Sequence, residues 1–251
     1  MPVEIFSELG PLTIVLVGFA AFVTASVHGA TGVAGGFLMT AILALIIGVK
    51  PVVPVMSVAL LISHSSRFFI NIKDFDLKPF LVVVMPSTPF IVLSSWGYGK
   101  LSPTFIAVLL GCVVLSSIPL RHWAKSRQIK TSTTTLGAVS AFYGGFSGAS
   151  VGSGMLLIPF LLGYGLSRAT FVATIAAIAL ATNVTRNIVF SGTNMLDTEY
   201  VVLGLFIGLC TIPGNWIGRS FLRRMTNERH SGLVDVLTVI GALNFFWIAF
   251  R

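Results

Sequence analysis

The chain has 251 residues, of which 55% are apolar and only 10% charged, and its mean hydropathy is +0.95. A water-soluble domain carries about 25% charged residues to cover itself, so this composition excludes one. The net charge of +8 does not point to nucleic acid either, because most basic residues fall in short stretches between apolar runs, chiefly Arg121 to Lys130 and Arg219 to Arg229, where the positive-inside bias of membrane proteins puts them.

Taken in chain order, the apolar runs predict ten helical segments. They lie at 12–30, 34–49, 52–72, 78–97 and 101–120, then at 131–149, 154–166, 170–190, 197–218 and 232–250. Ahead of the first, Glu4 and Glu8 stand where a cleavable signal peptide has basic residues, so the first segment is expected in the mature protein. The segments at 34–49 and 154–166 are short of the roughly 20 residues a crossing needs. Each follows a glycine-rich break, Gly29 to Gly36 and Gly144 to Gly154, which suggests tilted short helices or halves of re-entrant hairpins. Cys112 and Cys210 fall inside apolar segments and read as small hydrophobes.

The segments repeat. Sliding the chain by 119 residues puts Gly29 on Gly148, Ala30 on Ala149, Gly35 on Gly154, Ser63 on Thr182, His64 on Asn183 and Arg67 on Arg186. The expected fold is therefore an all-α polytopic transmembrane protein of two repeats, 1–121 and 131–251, joined by a basic cytoplasmic linker at 122–130. An odd number of segments per repeat gives the two opposite orientations, with the broken or short helices at the repeat interface. If the linker is cytoplasmic, the stretches Lys73–Lys78 and Arg219–Arg229 share its side. The Asp197/Glu199 loop and both termini are then outside, and Lys50 and Lys100 are single exceptions.

Broken helices at matching places in two inverted halves point to a transport site, since freed N–H groups at half-helix ends suit an anion. Thr31, Gly32 and Gly35 mark that site in the first copy, and Ser150, Gly152 and Ser153 in the second. Tight packing through small residues is the competing reading of the same glycines. Arg67 and Arg186 sit among Ser63, His64, Ser65 and Ser66 and among Thr182, Asn183, Thr185 and Asn187, surroundings that suit a cavity. A guanidinium there clamps a carboxylate, sulfonate or phosphate, and snorkelling to headgroups is the alternative. His64 and Asn183 join the site one turn before the arginines, and His28 joins it at the first break. Either histidine can titrate near neutral pH or simply pack between helices. No carboxylate stands in the middle of an apolar run, which argues against a cation pathway or a carboxylate proton relay. No metal-ligand cluster, phosphate-binding loop or base–nucleophile pair is present, so no metal, cofactor or enzymatic activity is expected.

The stretch Gly148-Ala-Ser-Val-Gly-Ser-Gly-Met-Leu-Leu-Ile-Pro159, followed by Ala169-Thr-Phe-Val-Ala-Thr174, resembles the repeated glycine-rich element of the sulfite exporter TauE/SafE family of membrane permeases. The first copy, His28-Gly-Ala-Thr-Gly-Val-Ala-Gly-Gly-Phe-Leu-Met-Thr40, keeps the glycines but has Thr40 where that family usually has proline. The resemblance implies export or uptake of sulfite, sulfoacetate or related sulfonates across the cytoplasmic (inner) membrane, with export the expected direction. The residues themselves imply only an anion. The expected function is a secondary transporter working by alternating access, with a small-anion channel or a non-transporting scaffold subunit as alternatives. Its expected partners are the small anionic substrate and the lipid bilayer, not nucleic acid, and a homodimer is left open.

Overall fold

Polar residues at the edges of the apolar runs decide where helices begin. The side chains of Asp76, Ser102, Ser132 and Ser167 each accept a hydrogen bond from the backbone N–H two or three residues on, which caps the helices that follow. The computed structural model describes the chain outside residues 1–3, 32–33 and 223–226, and side chains from residue 9 on except at 29–34, 168, 219 and 221–231. In that structure α1 is Glu4–Thr31, α2 Ala34–Ile47, α3 Val49–Ile70, α4 Leu77–Tyr98 and α5 Pro103–Arg127. The second half has α6 Thr133–Ser147, a 3-10 turn Ser153–Leu156 leading into α7 Ile158–Gly163, then α8 Arg168–Gly192, α9 Thr198–Leu222 and α10 Asn227–Phe250. No strand occurs among the described residues.

Seven of these helices are long and apolar enough to cross a membrane, and the molecule is inside-out relative to a soluble one. Leu12, Phe19, Met85, Phe142 and Ile188 are each more than 60% exposed, while Ser57, Ser95, Ser117 and Ser140 are fully buried. Such a surface is stable only against lipid tails. All four tryptophans (Trp96, Trp123, Trp216 and Trp247) are exposed near the C-terminal ends of their helices, as residues of an interfacial belt are. The protein is a multi-pass membrane protein.

Without water, backbone groups freed inside a helix need protein partners. Pro54 removes the hydrogen bond that the Lys50 carbonyl would accept, and the Tyr98 hydroxyl donates to that carbonyl at 3.0 Å. Tyr98, at the end of α4, thereby repairs a break near the start of α3.

The packing order exchanges under the 119-residue correspondence, which maps α1–α5 onto α6–α10. α1 lies on α9 and α6 on α4; α9 also lies on α3 and α4 on α8; α2 meets α10, and the turn before α7 meets α5. The corresponding helices that touch each other run antiparallel. Ser57, early in α3, bonds Asn187, late in α8, while Asp76, beyond the end of α3, bonds Thr174, early in α8. Likewise Gly111 of α5 lies against Phe246 of α10, and Arg121 pairs with Asp235.

Three boundaries differ from expectation. α5 continues to Arg127, so most of the expected linker at 122–130 is helical. The apolar run ends there but the helix does not, and Arg121 and His122 both reach Asp235 on α10. α6 has only 15 residues, so by length the first half holds four spanning helices and the second half three. The segment expected at 154–166 is split into the 3-10 turn and six-residue α7, because Pro159 cannot continue the turn's hydrogen bonding.

Candidate anion site

Where α3 and α8 cross, each presents one stripe of residues to a common cavity of about 80 Å³. From α3 come Leu60, His64 and Arg67, and from α8 come Ile175, Ala179, Thr182, Asn183 and Arg186, both spaced for a single helix face. His28 of α1, Gly36 and Phe37 of α2, Tyr143 of α6 and the segment from Ser150 to Met155 complete the wall. A water needs about 10–15 Å³ in a comparable measure, so the cavity has room for several waters or one small ion.

Arg186 is 3% exposed. Its Nη2 donates to the Ser150 carbonyl at 3.1 Å and its Nη1 to Asn183 Oδ1 at 3.3 Å, while its buried Nε has no partner among the described residues. Arg67 is part-buried, and its Nη1 meets His28 Nε2 at 2.6 Å. A guanidinium only donates, so His28 Nε2 accepts and the ring proton sits on Nδ1. That Nδ1, like His64 Nδ1, is buried without a partner. The two imidazoles meet edge-on at 5.6 Å. Neither arginine snorkels, and among the described residues neither histidine makes the backbone hydrogen bond of a packing residue.

The hydroxyls are committed elsewhere. Ser150 Oγ donates to the Phe146 carbonyl, Thr182 Oγ1 to the Ile178 carbonyl, and Ser147 and Ser153 bond each other at 2.8 Å. With its own proton used, Thr182 Oγ1 accepts from Tyr143 at 3.1 Å. The free donors are therefore mainly nitrogens, beside the one hydroxyl proton that the Ser147–Ser153 pair leaves over. Besides the side chains, the backbone N–H groups of Ser150 to Gly154 donate to no backbone carbonyl among the described residues. They wrap a bend in which Gly152 adopts φ 93°, a left-handed conformation that only glycine takes without strain. Successive N–H groups around such a bend form an anion-binding concavity. No carboxylate lines the cavity among the described residues.

Of the residues expected at the site, Arg67, Arg186, His64, Asn183, Ser150, Gly152, Ser153 and His28 all line this one cavity. Gly35 does not: a Cβ there would collide with the Thr24 carbonyl and His28, so it serves the close approach of α2 to α1. Gly32 and the Thr31 side chain lie outside the described residues. Tyr143 was missed, and its signal was a polar tip one turn before Ser147 in an otherwise apolar segment. Phe37, Leu60, Met155 and Ile175 carry no signal that separates them from core.

A family model described as Sulfite exporter TauE/SafE matches residues 17–245, nearly the whole chain. No curated protein and no solved structure matches it.

Proposed function

The chain belongs to the sulfite exporter TauE/SafE family, and we propose that it is a secondary transporter of small sulfur-containing anions, sulfite or sulfonates such as sulfoacetate. One observation carries this reading: two guanidiniums, from corresponding positions on antiparallel helices, face one cavity that has no carboxylate among the described residues. A buried charge without a partner costs several kcal/mol, so a site of this kind is built to receive a compensating anion.

We further propose that residues 1–121 and 131–251 form two inverted repeats rocking about the cavity, which exposes the anion to each side in turn. The exchange of packing partners and the antiparallel course of α3 with α8 and of α5 with α10 support this arrangement. The positive-inside bias then puts both termini outside the cytoplasmic membrane, and the family's description as exporters makes export the proposed direction. The test is counterflow. Proteoliposomes preloaded with unlabelled sulfite should take up labelled sulfite faster than empty ones, with saturation, whereas flux that neither saturates nor responds to preloading identifies a channel instead.

A further inference from the structure

The fixed charge of the cavity is two. Arg67 and Arg186 stay protonated in any protein environment, and every hydrogen-bond partner the structure gives their guanidiniums is neutral: the His28 ring, Asn183 Oδ1 and the Ser150 carbonyl. His28 adds no charge while its Nε2 accepts from Arg67. The acids with described side chains all lie outside the cavity, and Asp235 is already held by Arg121 at 2.7 Å and His122 at 2.9 Å. Most free polar groups are donors (Arg186 Nε, His28 Nδ1 and the N–H groups from Ser150 to Gly154), and neutral His64 adds one donor and one acceptor nitrogen.

We infer that this site is matched to doubly charged oxyanions and discriminates against singly charged ones of the same size and shape. The inference rests on reading the cavity as the anion site. A monoanion leaves one guanidinium uncompensated, whereas a dianion neutralises both. A dianion also gives up more hydration on entry, which works against it. That loss is offset only when both guanidiniums act on the ligand together, so removing either one removes the preference. Size does not provide the discrimination, because the cavity admits one small ion of either charge.

Two isoelectronic pairs isolate charge from shape: sulfite against chlorate, both pyramidal, and sulfate against perchlorate, both tetrahedral. Binding to the purified full-length protein is measured by calorimetry at pH 8, where an ordinary imidazole is neutral. Within whichever pair binds, the dianion should bind at least about tenfold tighter, ~1.4 kcal/mol. In Arg67→Gln and Arg186→Gln the ratio should fall to within about threefold, whereas Arg186→Lys, which keeps the charge, should retain the preference. Should a Gln variant fail to fold, the wild-type ratio and the Lys variant still decide the matter.

A monoanion that binds the wild type as tightly as its dianion twin overturns this inference and leaves the anion site standing. An unchanged ratio in folded Gln variants also overturns it, because the preference would not come from the arginines. If neither pair binds at all, the anion reading of the cavity falls, and this inference with it.

Discussion

Arg67 reaches the cavity with one guanidinium nitrogen fixed on His28, so the imidazole sets where that positive charge sits. His28 is therefore a positioning residue as well as part of the wall. His28→Ala removes the acceptor and should raise the KM for anion uptake about tenfold, the low end of what a hydrogen bond to a charged group contributes. His28→Gln supplies a carbonyl oxygen near the same place and should hold KM within about threefold of wild type. Equal effects of the two variants would rule out positioning. Both arginines were legible from the sequence because the repeat pairs them inside polar surroundings. The role of the hydroxyls was not. In an apolar interior a serine or threonine satisfies itself on the carbonyl three or four residues back, as Ser150 and Thr182 do here, and no sequence pattern separates that from ligand binding.

At the scale of the helix, the two readings of the glycines each hold at different positions. Gly144 lies against Ser87 and Phe90 and Gly148 against Ile91 and Ser95, so α6 and α4 pack backbone to backbone. Gly204, Gly208 and Gly214 do the same for α9 on α3 and α1. Gly152 and Gly154 instead border the cavity. Adjacent residues give a direct comparison. A Cβ at Gly144 would collide with the Ser87 carbonyl, and Gly144→Ala should destabilise the protein by about 1–3 kcal/mol in thermal unfolding. A Cβ at Gly145 meets open space, and Gly145→Ala should stay within about 0.5 kcal/mol or stabilise slightly. Existence and order of all ten helices were legible from hydropathy. Their ends were not, because hydropathy marks the bilayer edge and α5 runs past it to pair Arg121 with Asp235.

Across the whole molecule, the halves match in packing order but differ in detail. α2 packs on α3, while α7 makes at most slight contact with α8, and Arg186 is more deeply buried than Arg67. Around Arg67 stand His28 and His64, and the residues 119 positions further on are Ser147 and Asn183. The expectation of two repeats came from arginines, glycines and small hydroxyls that recur at one offset in the sequence. The apolar wall was not legible there, since Phe37 and Met155 look like any core residue until the fold places them beside a guanidinium.

The central claim is that the cavity between Arg67 and Arg186 is the path of the anion. The most direct measurement is uptake of labelled sulfite by proteoliposomes holding equal amounts of wild-type, Arg67→Ala and Arg186→Ala protein. Each substitution should lower uptake at least about thirtyfold, from the ~2 kcal/mol lost when one partner of a buried charge pair is removed. Uptake at the wild-type rate by both variants would contradict the account.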